Sequence, residues 1–565
     1  MKRNFIVITV SLLVTVLALF TFGWNEKASY AAAEIKTGDV NGDNTIDALD
    51  FALMKAYVLG ITKDFPVNDD LAVGDLNRDG SIDAIDWAVL KMYLLGIYKA
   101  LPVVENSDAI IINGIQFATT SGTAIQAHGG GMIKSGRYYY WYGENRDDTG
   151  HFLGVACYRS TDLKSWEYRG DVLTKNSSAE LNNCWIERPK VMYNASTGKY
   201  VMWMHWENGV NYGQARCAVA YADSPDGSYT YQGSFRPLAN TGVVDHGING
   251  YMSRDCNVFV DSDGKGYFIS SSNENMDLCL YKLTSDYRNI SSLAAKLFVG
   301  KQREAPCLFK RGNCYFLLTS GCTGWTPNQQ KYAYSTSLTS GWSDLINIGD
   351  STCFNSQAAF VMPIEGDSAT TYLYMGDRWG GAWGGKVNES QFVWIPISFT
   401  SNTSMSMTWA NTLNIDTSKG TITASVNNFT FKNVNSGLLM DISDYSADDG
   451  ATAIQWADNG GSNQKWQLLY DGAGYFKIKN VNSGKLLDVP SSSTADGTQL
   501  NQWSDNGGAN QKWVFIDKGN NNYQIKNKNS GKVIDVTGSS TSEGASVIQM
   551  SSSGGASQKW IITPV

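Results

Sequence analysis

Five short motifs in the middle of the chain each carry one polar residue, ten to fifteen residues before an aromatic run. Two glutamates and one aspartate in a common pocket would supply the carboxyl groups that cleavage of a glycosidic bond requires. One such motif is weak support, whereas five in register favour a shared site. The residues are His128 in QAHGGG, Glu187 in WIERPKV, Asp255 in SRDCNVFVD, Glu304 in REAPCLF and Gln357 in NSQAAF.

The aromatic runs predict the elements that must bring these side chains together. They are too short for good helices, helical signal is scarce around them, and they begin at Tyr138, Tyr200, Tyr267, Tyr315 and Tyr372. Evenly spaced short strands of this kind predict a five-bladed β-propeller with one run per blade. If the segment before each run is the innermost strand of its blade, the five polar side chains converge on one central cavity.

Residues 109–420 resemble glycoside hydrolase family 43, whose members are five-bladed propellers that invert the anomeric centre. SRDCNVFVDSDGKGYF is similar to the blade whose aspartate tunes the general acid, which implies that role for Asp255. REAPCLFKRGNCYF is similar to the blade with the general acid itself, which implies Glu304. The family's general base is normally an aspartate, but this chain has His128 there. That departure, with the YWYGE, ERPK, EAP and CTGW motifs, resembles the exo-β-1,3-galactanase branch, in which a glutamine, here Gln357, positions the attacking water.

The chemistry assigns a task to each group. Glu304 must stay protonated near neutral pH, and a neighbouring carboxylate, Asp255 or Glu187, would raise its pKa. Gln357 is a poor base, so it could orient the water or take its proton through the imidic tautomer. His128 and Glu144 are rival bases, and His128 could equally be a structural imidazole. The resemblance also implies substrate-binding residues, with Trp325 stacked on the terminal galactose: Glu144, Tyr212, Thr323, Trp325 and Asp377.

A duplicated loop near the N-terminus predicts metal binding. GDVNGDNTIDALD and GDLNRDGSIDAID have oxygen side chains at loop positions 1, 3, 5, 9 and 12 and lie 36 residues apart. This is EF-hand spacing for one Ca²⁺ per loop, with a backbone carbonyl at position 7. Each loop runs into an apolar helix, and residues 36–100 resemble a type I dockerin, which implies a scaffoldin cohesin as partner. The predicted ligands are Asp39, Asn41, Asp43, Thr45, Asp47 and Asp50, and Asp75, Asn77, Asp79, Ser81, Asp83 and Asp86.

Loop positions 10 and 11 of this segment are apolar, Ala48–Leu49 and Ala84–Ile85. They predict a preference for cohesins with an apolar complement. Because the two loops and helices are near-duplicates, we also expect two binding orientations related by a two-fold axis.

The C-terminal third repeats three times at a step of 47 residues. Residues 425–565 resemble the ricin-type β-trefoil, a family 13 carbohydrate-binding module, with Trp466, Trp513 and Trp560 of the QKW motifs expected in its core. In the third repeat Met550 replaces the stacking aromatic and Ser557 the asparagine, which predicts a weak or inactive third site. The resemblance implies two working sugar sites, Asp441, Gln455, Trp456, Asn463 and Gln464, and Asp488, Gln502, Trp503, Asn510 and Gln511.

Bulk properties bound the remaining choices. At 565 residues the chain must hold several domains. Residues 1–33 resemble a secretory signal and residues 101–108 a linker. The net charge of −8 argues against nucleic acid, and 12% aromatic content fits sugar binding. The nine cysteines are odd in number and lack CxxC pairs, so we expect mainly small core residues and leave a minority of disulfides open.

Together these patterns predict a mainly β, multidomain chain: a five-bladed β-propeller catalytic domain, a β-trefoil and a small α-helical calcium-binding dockerin. The predicted function is that of a secreted, cellulosome-associated, inverting exo-β-1,3-galactanase releasing galactose from β-1,3-galactan or arabinogalactan. Beyond the dockerin Ca²⁺ we expect no cofactor for the chemistry, no nucleic-acid or membrane partner, and a monomer. One alternative is an α-L-arabinofuranosidase or β-xylosidase of the same family, which should retain the base aspartate. The other is a non-catalytic carbohydrate-binding scaffold component.

Overall fold

The computed structural model describes residues 36–43, 45–67, 70–76, 81–97, 101, 110–425, 428–472 and 474–565. The predicted signal segment, most of the predicted linker, and Asn77 and Asp79 of the second loop lie outside these residues. Within the described part of the chain, no helix is both long and apolar enough to cross a membrane. The chain divides into two compact units, Met1–Ser107 and Asp108–Val565.

Three helices form the described part of the first unit: α1 (Ala48–Val58), α2 (Asp70–Gly74) and α3 (Ala84–Leu94). The two long helices start identically. The carboxylate of Asp47 accepts the Leu49 N–H, and the carboxylate of Asp50 accepts the Asp47 N–H. Asp83 and Asp86 repeat this capping box at α3. A small apolar core joins the helices and consists of Val40, Leu53, Met54, Phe65, Val73, Leu76, Val89 and Leu90.

Five four-stranded antiparallel sheets form the blades of a propeller in the second unit, which confirms the predicted fold class. In every sheet the strands pair in chain order. The blades are β2–β5 (His128–Ser135, Tyr138–Arg146, Phe152–Ser160, Glu167–Thr174), β6–β9 (Trp185–Asn194, Lys199–Glu207, Arg216–Ala222, Thr230–Phe235), β12–β15 (Cys256–Val260, Gly266–Ser272, Asp277–Leu283, Ile290–Leu297), β16–β19 (Arg303–Arg311, Cys314–Gly321, Gln330–Ser335, Ile346–Ile348) and β20–β23 (Gln357–Glu365, Thr370–Arg378, Gln391–Phe399, Met405–Met407).

Each aromatic run is the second strand of a blade, and the first strands of neighbouring blades lie side by side around the centre. The rings fill the blades, and Trp141 and Trp203 are fully buried. All nine cysteines are free thiols and eight of them are buried, as expected of small core residues. The polar residue of each motif therefore lies among the first three residues of an innermost strand or, for Asp255, directly before it.

Short strands outside the blades complete the propeller. β1 (Ile111–Ile112) pairs with β24 (Thr412–Asp416), which pairs with β25 (Thr421–Ser425). The Asn113 side chain donates to the carbonyls of Trp394 and Ala410, so the segment that enters the propeller is tied to the segment that leaves it. A two-residue hairpin, β10 (Val244–Asp245) and β11 (Ile248–Asn249), lies between the second and third blades.

The C-terminal part is a β-trefoil. Six of its strands pair in a closed ring: β26 (Asn428–Asn433), β29 (Trp466–Gly472), β30 (Tyr475–Asn480), β34 (Trp513–Asp517), β35 (Asn522–Asn527) and β38 (Trp560–Pro564). The remaining strands pair outside this ring, mainly as hairpins. Trp466, Trp513 and Trp560 are completely buried, which confirms their predicted core position. The strands are β26–β29 (Asn428–Asn433, Leu439–Ile442, Ala453–Trp456, Trp466–Gly472), β30–β34 (Tyr475–Asn480, Leu486–Asp488, Thr498–Gln499, Asn501–Trp503, Trp513–Asp517) and β35–β38 (Asn522–Asn527, Val533–Val536, Val547–Met550, Trp560–Pro564).

The propeller and the trefoil share one hydrophobic core cluster. Hydrogen bonds accompany it: the Asn411 amide donates to the Leu468 carbonyl, and the Asp517 carboxylate accepts the Ala118 N–H at 3.0 Å. The rings of Trp409 and Tyr470 lie 4.5 Å apart. Apolar burial with paired polar groups makes this a permanent contact rather than a loose tether.

Candidate active site

Four of the five innermost strands bulge next to their functional residue. The strand register shifts after His128, Glu187, Glu304 and Ala358. The next residue in three of these strands, Gly129, Arg188 or Ala305, has a left-handed backbone with φ of 62°, 55° or 50°. That conformation costs a non-glycine residue about 1–2 kcal/mol. A bulge turns side chains out of the regular alternation, so these strands can direct functional groups into the centre.

Glu304 lies in the centre as a partly buried carboxyl group with amide neighbours. Its Oε1 accepts a hydrogen bond from Gln357 Nε2 at 3.0 Å, and its Oε2 accepts a longer one from Asn275 Nδ2 at 3.4 Å. Burial raises the pKa of Glu304 to about 8, and the charge of Asp255 adds to the rise while Arg188 opposes it. A carboxyl group with this pKa carries a proton at neutral pH.

Gln357 is held at both ends of its amide. Its Oε1 accepts from Arg188 Nη2 at 2.5 Å and from Trp379 Nε1 at 2.8 Å. Its Nε2 donates to Glu304 and to Ser320 Oγ, each at 3.0 Å. The oxygen therefore faces two N–H donors and the nitrogen faces two acceptors, which fixes the orientation of the amide.

Asp255 precedes β12 and forms an ion pair with Arg188, Oδ2 to Nη2 at 3.2 Å. The same oxygen accepts the Ala305 N–H at 3.0 Å. The bulges after Glu187 and Glu304 thus both supply a donor to this carboxylate, which links three blades.

Glu187 is held by a different set of donors. Its carboxylate accepts from Tyr212 Oη at 2.8 Å and from Arg146 Nη2 at 3.1 Å, and it contacts His205 Nδ1 at 3.0 Å. Burial acts to raise the pKa of Glu187, but the His205 hydrogen bond and the Arg146 charge outweigh it, so the pKa lies well below its ordinary value. Against the cost of burial, hydrogen bonds to Glu187 and Glu207 raise the pKa of His205 to about 9. Glu187 is therefore ionised while Glu304 is protonated.

Glu144, His128 and Asp377 lie just behind this layer and are fully buried. Glu144 accepts from Arg146 Nη2 at 2.6 Å and from the Arg188 N–H at 2.8 Å. Burial raises the pKa of Glu144, with the charge of Arg146 opposing it. His128 Nδ1 lies 3.0 Å from Asp377 Oδ1, and its ring stacks on Phe392. Its Nε2 is buried and has no hydrogen-bond partner among the described residues.

An open cleft lined by Ser320, Trp325, Asn328, Gln357 and Trp379 leads into this network. The ring of Trp325, 46% exposed, stands on its rim at 5.7 Å from the ring of Trp379. Tyr212 is also exposed, with its hydroxyl turned inward to Glu187. Thr323 lies on the loop that carries Trp325 and donates to the Thr326 carbonyl. An exposed indole above inward-facing carboxyl groups is the arrangement that binds a sugar by stacking and hydrogen bonding.

Glu187, His205 and Asp255 place one ligand atom each within 4.8 Å of one another, so a metal ion must be considered. Both carboxylates already accept from arginine or tyrosine donors. His205 contacts carboxylates through both ring nitrogens, and an imidazolium has no lone pair for a metal. The donor set fits an ion-pair network and does not fit a divalent metal ion.

The EF-hand-like loops have the donors for Ca²⁺. Asp39 and Asp50 of the first loop and Asp75 and Asp86 of the second are buried. Burial raises the pKa of Asp50, and the nearby charge of Asp39 adds to the rise. Buried like charges require a counter-charge, and an all-oxygen set suits a hard cation, so the described residues fit Ca²⁺.

The two sugar sites predicted for the trefoil match each other. Site 1 is Asp441, Trp456 and Asn463 with the neighbouring Asn459, and site 2 is Asp488, Trp503 and Asn510 with the neighbouring Asn506. In both, the Oδ1 atoms of the two asparagines flank one glycine, Gly461 or Gly508. The amide of Asn463 donates to Asp441 in site 1, and the amide of Asn510 donates to Asp488 in site 2, each at 2.8 Å. The indoles of Trp456 and Trp503 are 39% and 43% exposed.

The third repeat lacks this arrangement. There Gln558 Nε2 donates to Asp535 Oδ2 at 2.9 Å, because Ser557 has no amide to offer. The four glutamines predicted for the sugar sites are buried, with both ends of each amide hydrogen-bonded inside the trefoil: Gln455, Gln464, Gln502 and Gln511.

Several residues of the central network were missed at the level of sequence. Arg188, Arg146 and His205 bind the carboxylates, Trp379 binds Gln357, and Asn275 contacts Glu304. Arg188 follows Glu187 directly in the ERPK motif, and Arg146 closes the YWYGENR strand. An arginine beside a predicted catalytic carboxylate is the signal that would have identified both.

Comparisons with known proteins agree with this geometry. Residues 128–348 match glycosyl hydrolases family 43, residues 37–95 match the dockerin type I domain, and residues 416–503, 462–551 and 509–565 match the ricin-type beta-trefoil lectin domain. No curated protein shows significant similarity to the chain.

Solved structures give closer matches. An exo-β-1,3-galactanase from Clostridium thermocellum is 59% identical, with 81% of this chain and 100% of that chain covered and a TM-score of 0.57. A family 43 β-1,3-galactosidase is 31% identical, with 80% and 94% covered and a TM-score of 0.50. An exo-β-1,3-galactanase from Phanerochaete chrysosporium with galactose is 27% identical, with 80% and 100% covered and a TM-score of 0.52. This chain belongs to glycoside hydrolase family 43, and it carries a type I dockerin and a ricin-type β-trefoil lectin domain beside its propeller.

Proposed function

We propose that the chain is an inverting exo-β-1,3-galactanase that releases galactose from β-1,3-galactan and arabinogalactan. The observation that carries the proposal is the pairing of a protonated Glu304 with an ionised Glu187 beneath an indole-lined cleft. In support, the 59% identical structure, whose whole length this chain covers, is an exo-β-1,3-galactanase.

Glu304 is the general acid in this proposal. Both carboxyl oxygens accept an amide N–H, Oε1 from Gln357 at 3.0 Å and Oε2 from Asn275 at 3.4 Å, so the acidic proton resides on Oε2, which has the weaker donor. Oε2 then passes the proton to the departing glycosidic oxygen. The negative charge of Asp255 raises the pKa of Glu304 and so keeps its proton in place. Asp255 also pairs with Arg188, which reduces the opposing effect of that arginine on Glu304.

Glu187 acts as an ionised acceptor, both for a sugar hydroxyl and for the proton that the attacking water loses as it adds to the anomeric carbon. Its partners Arg146, His205 and Tyr212 hold the carboxylate in place, so a substrate hydroxyl meets a preorganised charge. Tyr212 and Trp325 contact the sugar from the rim, and Thr323 supports the Trp325 loop. Glu144 and Asp377 shape the floor through Arg146, Arg188 and His128.

Gln357 acts as a neutral amide. An imidic tautomer would place an O–H against the N–H groups of Arg188 and Trp379, which already donate to that oxygen. The tautomer is therefore disfavoured. Gln357 orients the acid, and since both ends of its amide are already hydrogen-bonded, it orients the reacting water only when that water takes the place of a present partner such as Ser320.

The dockerin and the trefoil place this activity on its substrate. We propose that each dockerin loop binds one Ca²⁺ and that exposed Leu49 and Ile85 contact a scaffoldin cohesin, which would make the enzyme extracellular and cellulosome-associated. Trefoil sites 1 and 2 bind galactose residues of the polymer and raise its local concentration. Their buried glutamines maintain the pockets without touching sugar.

Product analysis on unbranched β-1,3-galactan tests the activity. Wild type should release galactose as the single early product, of inverted configuration, and Glu304→Gln should release none above background. Arabinose or xylose from other polymers, with no galactose from galactan, would favour the arabinofuranosidase or β-xylosidase alternative. Galactan binding without any product from wild type would favour the non-catalytic alternative.

A further inference from the structure

One exposed aromatic ring breaks the three-fold symmetry of the trefoil. Tyr445 lies four residues after Asp441, and the two other repeats have Ser492 and Ser539 at the same step. Its side chain is 50% exposed. It is additional to Trp456, the predicted stacking residue of site 1.

The phenol group stands at the polar edge of site 1. Tyr445 Oη donates to Asn459 Oδ1 at 3.3 Å. A Cβ on Gly461 would lie 2.2 Å from Tyr445 Oη and 2.4 Å from Asn463 Oδ1, so these two oxygens flank the same glycine. The tyrosine hydroxyl and the Asn463 amide oxygen therefore lie on the same side of Gly461, which places the tyrosine ring beside the pocket.

Site 1 also contains an acceptor without a donor. Asn463 is 2% exposed, and its Nδ2 donates to Asp441 and to the Ile442 carbonyl. Its Oδ1 is buried and accepts no hydrogen bond from the described residues. A buried carbonyl oxygen without a donor is unfavourable. A hydroxyl group of a ligand would satisfy it once the side chains that cover this oxygen rotate aside.

The backbone presents the ring at a fixed place. Asp444 and Tyr445 have φ of 59° and 52°, which is uncommon for a bulky residue. Asn482 Nδ2 donates to the Tyr445 carbonyl at 3.0 Å. Asn529 and Asn435 make the same bond to Ser492 and Ser539, so all three repeats hold this turn and one of them displays an aromatic ring on it.

We propose that Tyr445 forms an additional sugar-stacking face that makes site 1 a disaccharide site for β-linked galactose, whereas site 2 binds a single galactose. The first ring occupies the pocket of Asp441, Asn463 and Trp456, and one of its hydroxyl groups donates to Asn463 Oδ1. The second ring lies against Tyr445, because sugar C–H faces stack on exposed aromatic rings. This inference rests on the sugar binding proposed for the trefoil.

Calorimetric titration of full-length variants with galactose and with β-1,3-galactobiose tests the proposal. All of these variants carry Glu304→Gln, which prevents hydrolysis, and Trp503→Ala, which abolishes binding at site 2. A control chain that also carries Trp456→Ala measures binding to the catalytic cleft alone, and this contribution is subtracted. Site 1 should bind galactobiose about five- to tenfold more tightly than galactose. Tyr445→Ser, which copies site 2, should bring that ratio to about one, and Tyr445→Phe should preserve it.

The reciprocal variant is Ser492→Tyr in a chain whose site 1 is silenced by Trp456→Ala. It should give site 2 a preference for galactobiose that the parent lacks. The proposal is overturned if Tyr445→Ser binds galactose normally and keeps the wild-type ratio of galactobiose affinity to galactose affinity. It is also overturned if Tyr445→Ser binds galactose more tightly, because the tyrosine would then be blocking site 1 rather than binding sugar. Absence of sugar binding at site 1 also overturns it, while galactose release from galactan by wild type would leave the proposed activity standing.

Discussion

Gln357 donates its amide N–H to Glu304, with Nε2 3.0 Å from Oε1, so the proposed acid and the proposed water-orienting residue are in direct contact. In this chain His128 occupies the position where the family has its base aspartate. The Gln357 amide, the other candidate for handling the water, is bound to the acid. The contact makes the two side chains one functional unit.

Gln357→Glu should abolish most activity rather than improve it. The new carboxylate cannot donate an N–H to Glu304, and its negative charge raises the pKa of Glu304 further, so the acid releases its proton less readily. We therefore expect kcat on β-1,3-galactan to fall at least about 100-fold. Gln357→Asn, which keeps an amide but shortens the reach, is the matched variant. Activity of Gln357→Glu equal to wild type would show that residue 357 serves as a base.

Asp255→Asn should move the alkaline limb of the pH–rate profile to lower pH. Removing the like charge favours ionised Glu304, and the released Arg188 lowers its pKa further, so the pKa falls from its raised value of about 8. Because the acid must be protonated, activity is then lost at a lower pH than in wild type. The profile of kcat/KM measures this, and Asp263→Asn, an exposed site on the same blade, should leave it unchanged.

Calcium removal should separate docking from hydrolysis. With chelator, the buried carboxylates of the dockerin repel one another and the loops lose their cross-link, so cohesin binding should disappear. Galactose release from soluble galactan should persist, because the propeller residues that perform it hold no Ca²⁺ in this proposal. Loss of both properties together would contradict the division of roles.

Leu49 and Ile85 should be interchangeable in cohesin binding. They occupy equivalent positions on α1 and α3 and are 62% and 56% exposed. Leu49→Asp or Ile85→Asp alone should leave cohesin affinity within about tenfold of wild type, since the other helix still presents an apolar contact. The double variant should not bind. If either single variant abolishes binding, the expectation of two orientations is wrong.

The contribution of the stacking residue to galactan binding should differ among the three repeats of the trefoil. Trp456→Ala and Trp503→Ala should each weaken retention on insoluble β-1,3-galactan several-fold, because each removes an exposed ring from a pocket with an oriented aspartate. Met550→Ala should have no measurable effect. A weakening by Met550→Ala equal to the other two would indicate a third working site.

The sequence predicts the propeller blades well but predicts poorly the hydrogen-bond and ion-pair network around Glu304 and Glu187. Aromatic runs report strand position because blade packing needs large rings at regular spacing. The positions of Arg188 and Ala305 depend on left-handed bulges, which follow from tertiary contacts and leave no local signature in non-glycine residues. Likewise Gln455 and Asn463 look alike as polar residues of one repeat, and only the closed barrel turns the first inward to backbone carbonyls.

The shared core of propeller and trefoil also sets a length threshold for the substrate. A polymer held at site 1 or site 2 must span an invariant gap before its end can enter the cleft, since Asn411 and Asp517 lock the two domains together. Oligosaccharides shorter than that gap occupy cleft and trefoil as separate molecules. Hydrolysis should therefore depend on Trp456 and Trp503 only above a critical number of galactose residues, and that number measures the gap in solution.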